Sequence, residues 1–345
     1  MTGKILLAAG GTGGHIIPSI AFGQWLKRKG ESVVWLTGSR ELEEKIYQAH
    51  GVTPLKISLE GSPLGVRGLR SLRRWTQLVG SFFECRAVLA RESVARCVLF
   101  GGYLSMPVLL AARSLGIPVL MHEQNTVAGK VTRFAARMNV PIACAWSECR
   151  GLEKNKFITA GLPLRQLELT DQKQAQNRLL GSPLSEGEKL VIILGGSLGS
   201  GGMKNMLQNS QDMIKSTGCK ILCMGIAPEQ RPFPEALTHE ACWDMSLVYS
   251  AADAVVCRAG ASTLAELNAL GIPVIVVPWA ASADDHQSHN ARAFAAQTGA
   301  PVLNENDAPR DFAAALAALP KRRPAESDLN AASANLYKVL CSLNA

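Results

Sequence analysis

The strongest constraint in this 345-residue chain is a pattern used twice: a short apolar run, a cluster of glycines, then an α-helical segment. In the first half Ile5-Leu6-Leu7-Ala8-Ala9 meets Gly10-Gly11-Thr12-Gly13-Gly14, and residues 18–29 carry a helical period that Gly30 closes. In the second half Leu190-Val191-Ile192-Ile193-Leu194 meets Gly195-Gly196-Ser197. A short run that is apolar at every position suits a strand buried on both faces, the parallel strand of a βαβ unit. Similar runs stand at 32–36, 97–100, 118–121, 220–224, 254–257 and 274–277. The segment Leu115-Gly116-Ile117-Pro118-Val119 also recurs as Leu270-Gly271-Ile272-Pro273-Val274. A good helix-to-strand turn would explain either copy alone. Together with the matched strand–Gly-Gly openings, the pair predicts an α/β chain of two Rossmann-like, doubly wound parallel-sheet domains facing across a cleft. The junction is expected near Ala160-Gly161-Leu162-Pro163, giving domains 1–162 and 163–345, with the last helix able to pack back on domain one.

Composition narrows the class. The length is comfortable for two cores, and 47% hydrophobic against 19% charged residues excludes a disordered chain. Lys and Arg outnumber Asp and Glu by 36 to 28, a net charge of +8 that suits an anionic partner. Nine cysteines lie scattered without a C-x-x-C pair, so neither a zinc site nor a redox pair is expected. Reduced thiols and no leader-like opening predict a cytoplasmic protein. No apolar run reaches the ~18 residues of a membrane span.

Four segments carry the candidate chemistry. The turn Gly10–Gly14 ends in His15 and joins a strand to a helix, where backbone N–H groups and the helix dipole can meet an anion. It is not a dinucleotide fingerprint, because Ile16 stands where the last glycine would be, and it lacks the Gly-Lys-Ser/Thr of a P-loop. The loop from Gly195 to Gly202 adds the Ser197 and Ser200 hydroxyls to its amides, a natural cradle for a diphosphate. In Arg258-Ala259-Gly260-Ala261-Ser262-Thr263-Leu264-Ala265-Glu266 the Ser/Thr pair is expected to cap a helix, with Glu266 in its first turn. That carboxylate either holds ribose hydroxyls or complements the helix dipole. The polar run Asp284–Asn290 offers amides and imidazoles for sugar hydroxyls; as a metal cluster it matches no familiar spacing.

These residues, in this order and nearly end to end, resemble the MurG family of peptidoglycan lipid-intermediate N-acetylglucosaminyltransferases. The shared blocks are Gly10–His15, Gly101-Gly102-Tyr103, His122-Glu123-Gln124-Asn125, Gly195-Gly196-Ser197, Arg258-Ala259-Gly260-Ala261 and Asp285-His286-Gln287, of which His122–Asn125 is the most specific. The resemblance implies a GT-B fold, with UDP-GlcNAc mainly on domain two. It implies inverting transfer of GlcNAc to the MurNAc 4-hydroxyl of undecaprenyl-diphosphate-MurNAc-pentapeptide, making lipid II from lipid I. Donor contacts would come from Arg165, Ser197, Gly199, Arg258, Gly260, Thr263, Glu266 (ribose), His286 and Gln287 (sugar hydroxyls), and the backbone near Cys242 (uracil). On the acceptor side stand Thr12, Gly13, Gly14 and Asn125. His15 is expected as general base, or else as a group that orients the acceptor, with Asn125 and Glu123 as further catalytic candidates; imidazole titrates near neutrality and suits the first role. The chain departs from the family at Leu162 (usually Asn), Leu198 (often Gln) and Met106 (usually Gly). No Asp-x-Asp pair stands in a plausible place, so no metal and no cofactor are expected.

Arg67, Arg70, Arg73 and Arg74 precede Trp75, Leu78, Val79, Phe82 and Phe83 at helical spacing. A core helix with a charged outer face would read the same way. Cationic residues beside aromatics also suit an acidic lipid surface, at ~1 kcal/mol per Arg. With a polyprenyl-linked acceptor implied, Arg70, Arg73, Arg74, Trp75, Phe82 and Phe83 are expected to hold the protein peripherally on the anionic cytoplasmic face of the inner membrane. The implied setting is cell-wall biogenesis, cell shape and division, alongside other synthesis proteins. Nucleic acid is not expected, because no recognition motif accompanies the charge.

Overall fold

The computed structural model describes residues 3–61, 69–195, 201–240, 242–325 and 328–343, of which 69–73 are described by their backbone only. The chain divides into two compact units, 1–165 with 328–345, and 166–327.

The first unit runs β1 (Lys4–Ala8), α1 (Gly13–Arg28), β2 (Val33–Thr37), α2 (Glu41–Ala49), β3 (Leu55–Lys56), α3 (Leu69–Arg91), β4 (Val94–Leu99), α4 (Ser105–Ser114), β5 (Val119–Glu123), α5 (Lys130–Arg137), β6 (Ile142–Cys144) and β7 (Ile158–Thr159). Its seven-stranded sheet has the order β3-β2-β1-β4-β5-β6-β7, and every pairing in it is parallel. The continuous apolar runs are explained by burial on both faces. Leu6, Ala8, Cys97 and Leu99 join one core, while Ile5, Leu7, Val98 and Phe100 join the other.

The second unit runs α6 (Gln172–Leu180), β8 (Lys189–Leu194), α7 (Gly201–Asn209), α8 (Gln211–Lys215), β9 (Cys219–Met224), β10 (Leu237–His239), α9 (Met245–Ala251), β11 (Ala254–Cys257), α10 (Ala261–Ala269), β12 (Val274–Val276), α11 (His286–Thr298) and α12 (Pro309–Ala317). Its sheet order is β10-β9-β8-β11-β12, again parallel throughout. In each unit the first strand is internal, and the crossovers place neighbours on both its sides, the doubly wound arrangement. The final helix, α13 (Ala331–Cys341), packs on the first unit: Leu336 and Leu340 are buried in its core, and Tyr337 meets Trp25 edge-on at 5.5 Å.

The repeated Leu-Gly-Ile-Pro-Val segments adopt one geometry. Each begins at a helix C-cap, with its glycine at φ +70° (Gly116) or +65° (Gly271). Ile117 N–H reaches back to Ala112 O at 2.9 Å and Ile272 N–H to Leu267 O at 3.0 Å, and the proline carbonyls accept from Cys97 N and Val255 N at 2.9 Å. A left-handed residue is needed to close a helix in this way, and glycine supplies it without a Cβ clash.

Candidate active site

In the first unit the glycine turn leaves β1 and enters α1 at Gly13, five residues before the expected start at 18. Pro18 lies inside the helix. It removes the N–H that would bond back to Gly14 O, and its ring crowds that carbonyl, one turn from the helix start. Thr12 is the N-cap by its backbone, its carbonyl accepting from His15 N and Ile16 N at 3.1 and 3.2 Å, and its side chain makes no cap bond. Thr12, Gly13, Gly14 and His15 are all half-buried at this helix start.

Beneath the turn lies a residue that sequence reasoning missed. Glu43 is fully buried on α2, and its carboxylate takes four donors. Gly11 N–H and the Tyr103 hydroxyl donate to Oε1 at 2.6 Å each; Thr37 Oγ1 and Gly38 N–H donate to Oε2 at 2.9 and 3.0 Å. Nothing distinguishes it from Glu41 and Glu44 in sequence, because its partners come from other elements. A buried carboxylate is sustainable only with its lone pairs satisfied in this way.

His15 is held from two sides. Its Nδ1 lies 2.9 Å from Gln124 Oε1 just past β5, and the Gly101-Gly102 turn after β4 packs against the ring. Both glycines have positive φ, +83° and +75°. A Cβ on Gly101 would stand 3.2 Å from His15 Cε1 and Nδ1, and one on Gly102 would stand 2.5 Å from Gly10 O. A side chain at either position would displace the imidazole or the turn.

Glu123 is buried, and its carboxylate accepts from Asn125 N (3.1 Å), Asn125 Nδ2 (3.3 Å), Gly129 N (2.9 Å) and Thr132 Oγ1 (2.6 Å). So engaged, it acts as an anchor for the 124–129 loop, and the half-buried Asn125 is the neighbour it orients. His122 is buried between Gly161 O and the Gln124 amide. Burial depresses its pKa to about 4, against smaller opposing effects of the Gly161 carbonyl and Glu123, so it is neutral at physiological pH.

In the second unit β8, β11 and β12 are adjacent and parallel, so the loops leaving their carboxyl ends stand side by side, where open α/β sheets bind ligands. Ser197 and Gly199 lie outside the described residues. Arg258 is buried, donates to Val277 O at 3.2 Å and pairs with Glu305. Gly260, not the Ser/Thr pair, is the N-cap of α10. Glu266 therefore falls in the second turn, where it is buried and accepts from the Tyr249 hydroxyl at 2.9 Å. That depth removes the dipole alternative, whose effect is confined to the first turn. Thr263 is half-buried on the same helix. Asn290, buried on α11, donates to Ala259 O at 3.0 Å and fixes the Arg258–Gly260 loop.

His286 and Gln287 open α11. His286 Nδ1 bonds Ala283 O at 2.7 Å and Gln287 Oε1 accepts from Trp279 N at 2.9 Å. The preceding Asp284 and Asp285 both have left-handed backbones, at φ +53° and +51°. Among the described residues no group of three or more His, Cys, Asp or Glu side chains is placed to hold a metal ion. Cys242 follows β10, its thiol donating to Asp244 O at 3.5 Å. Arg165 belongs to the first unit, where its guanidinium donates to His50 Nε2 at 3.2 Å.

On α3 the expected apolar stripe divides. Leu78 and Phe82 pack against the core, whereas Trp75, Val79 and Phe83 are 48%, 60% and 63% exposed. Spacing of four residues puts the exposed three on one face and turns Phe82 to the other. Arg67 and the side chains of Arg70 and Arg73 lie outside the described residues; Arg74 is half-buried. No helix among the described residues is long and apolar enough to cross a membrane.

Residues 5–143 match the glycosyltransferase family 28 N-terminal domain, and residues 190–340 match the family's C-terminal domain. A UDP-N-acetylglucosamine--N-acetylmuramyl-(pentapeptide) pyrophosphoryl-undecaprenol N-acetylglucosamine transferase of Trichodesmium erythraeum is 32% identical over 88% of this chain and 80% of its own length. Its namesake from Ectopseudomonas mendocina is 33% identical over 88% and 85%. Among solved structures, Acinetobacter baumannii MurG superposes with a TM-score of 0.67 at 23% identity, covering 99% of this chain and 100% of that one. A structure described as a putative UDP-N-acetylglucosamine 2-epimerase from Listeria monocytogenes gives 0.64 at 12% identity, covering 97% and 95%. The fold alone thus spans different chemistries, and the sequence relationship is what decides: the chain belongs to glycosyltransferase family 28, in the family of UDP-N-acetylglucosamine--N-acetylmuramyl-(pentapeptide) pyrophosphoryl-undecaprenol N-acetylglucosamine transferases.

Proposed function

We propose that this enzyme transfers GlcNAc from UDP-GlcNAc to the MurNAc 4-hydroxyl of undecaprenyl-diphosphate-MurNAc-pentapeptide, converting lipid I to lipid II. The observation that carries this reading is sequence kinship at 32–33% identity across both units with transferases named for that reaction. In the reaction His15 Nε2 takes the proton of the acceptor hydroxyl as its oxygen attacks the anomeric carbon. The bond from that carbon to UDP breaks on the opposite face, with inversion. The charge left on the diphosphate is met by the loop amides of residues 195–202, with Arg165 as a further cation.

The first unit takes the acceptor, through Thr12–Gly14 and through Asn125 as Glu123 holds it. The second takes the donor, with Glu266 on the ribose, His286 and Gln287 on the sugar, the backbone near Cys242 on uracil, and Arg258, Gly260 and Thr263 shaping the loop between them. The exposed Trp75, Val79 and Phe83, with the arginines at 70, 73 and 74, rest on the anionic cytoplasmic face of the inner membrane, beside the polyprenyl tail of the acceptor. There the enzyme serves peptidoglycan synthesis, and through it cell shape and division, among other cell-wall synthesis proteins.

The test is incubation with radiolabelled UDP-GlcNAc and a lipid I analogue, followed by chromatography. Label is expected in a disaccharide-lipid product that forms only when acceptor is present. Turnover of UDP-GlcNAc without acceptor, or labelling of a different glycolipid in place of lipid I, would overturn the reading.

A further inference from the structure

The side chains behind His15 form a hydrogen-bonded chain with only one direction. Gly161 O can only accept, so His122 Nε2, 2.9 Å away, carries a proton. His122 is fully buried and neutral, so its Nδ1 is a lone pair and must receive a proton. The donor is the Gln124 amide nitrogen, 3.0 Å from that Nδ1 and 2.9 Å from His122 O, a second group that can only accept. With the amide nitrogen committed to His122, its oxygen faces His15. That oxygen accepts, so His15 Nδ1, at 2.9 Å, is the protonated nitrogen. His15 Nε2 is left as a lone pair, and it bonds no other described residue.

We propose that Gln124, itself locked by His122 and the Gly161 carbonyl, is a positioning residue that holds His15 as the Nδ1–H tautomer, with Nε2 presented as the proton acceptor. Free histidine in water favours the opposite tautomer, in which Nε2 carries the proton and cannot accept one. The relay thus reverses an intrinsic preference with neutral groups only. Its components are buried, Gln124 being 1% exposed and His122 0%. The Gly101-Gly102 turn excludes the side chains that would push the ring off Gln124. Gly161 ties the relay to the segment that ends the first unit, so the chain connection itself contributes the terminal acceptor. The proposal rests on the base role of His15 for its catalytic meaning, but the tautomer can be read without any turnover.

The experiment is long-range nitrogen–proton NMR on the full chain labelled with nitrogen-15 histidine. The chain has six histidines, and His15 is assigned by the signals lost in His15→Gln. At about pH 8, where imidazoles are largely neutral, wild-type His15 should show a protonated Nδ1 and a lone-pair Nε2. Gln124→Met should restore the Nε2–H form and lower kcat on the order of a hundred-fold, with the KM for UDP-GlcNAc within about two-fold. His122→Leu removes one of the two acceptors that hold the Gln124 amide nitrogen and leaves the main-chain O of residue 122, so it should admit a minor Nε2–H population at His15. An Nε2–H tautomer in the wild-type enzyme, a measurement that needs no folded variant, would overturn the relay, as would an unchanged tautomer in Gln124→Met. A tautomer that switches in Gln124→Met while kcat stays constant would uphold the relay and instead remove His15 as the base.

Discussion

In the first unit a chain of buried polar side chains ends on one imidazole; in the second, Asn290, Arg258 and Gln287 each bond a main-chain group of a loop. Under the Gly10–Gly14 turn, Gln124 aims His15 and Glu43 fixes the turn that carries it. Under the loops of the second unit, Asn290 holds Ala259 O, Arg258 holds Val277 O and Gln287 holds Trp279 N. The first five strands of each unit follow the same order around the first, so the difference lies in how the side chains at each sheet's carboxyl edge are placed. One edge presents an imidazole in a set orientation, and the other presents loop backbone held in place by side-chain hydrogen bonds. Kinetics should separate the two accordingly, with losses in the first unit appearing in kcat and losses in the second in donor affinity.

The sharpest break would come at His15. Replacing it by Ala should lower kcat on the order of a thousand-fold, the usual contribution of a positioned base. Steady-state rates at saturating UDP-GlcNAc measure it, and an unchanged kcat would take the imidazole out of the reaction.

Next in size is a pH effect on stability. The pKa of His122 is about 4 when folded, below the ordinary 6.5, because of burial. The unfolded chain therefore binds the extra proton first as pH falls. Stability contributed by the neutral ring is present above about pH 6.5 and is lost between about 6.5 and 4, by about 3 kcal/mol in all. Urea unfolding at a series of pH values should show that slope in the wild type and a flatter one in His122→Leu. Parallel slopes would mean that the ring is not held neutral. No buried imidazole of this kind stands in the second unit, among the described residues.

A smaller effect is expected in the second unit. Asn290→Ala removes the donor to Ala259 O, and should raise the KM for UDP-GlcNAc about ten-fold while kcat stays within about three-fold, the cost of one lost buried hydrogen bond. A fall in kcat alone would erase the contrast between the two edges. The smallest effect is at α3. Trp75→Ser or Phe83→Ser should each weaken binding to anionic vesicles about five-fold, by the loss of a partly inserted aromatic. Co-sedimentation measures it, and equal binding by wild type and variants would assign the exposed row some other partner.

Much of the scaffold could be read from residues alone. The strands at β1, β8, β9 and β11 fall within about a residue of the apolar runs, because burial on both faces leaves a signal that no amphipathic helix mimics. The paired Leu-Gly-Ile-Pro-Val turns adopt one geometry for the same local reason. The polar network was not legible. Glu43 and Gly11 are 32 positions apart, His15 and Gln124 109, and only the adjacency of β1, β4 and β5 brings the latter pair together. Local rules also misjudged two helix starts: glycines extended α1 back to Gly13, and Gly260 displaced the Ser/Thr pair as the cap of α10. The stripe on α3 was visible, but helical spacing alone could not say which of its members would face the core.

The central claim, that one edge aims a proton acceptor while the other shapes a donor pocket, is tested most directly by titration calorimetry of UDP-GlcNAc into wild type, His15→Ala and Asn290→Ala. The account predicts a Kd for His15→Ala equal to that of the wild type, and a weaker one for Asn290→Ala. Weakening of donor binding by His15→Ala as large as that by Asn290→Ala would contradict it.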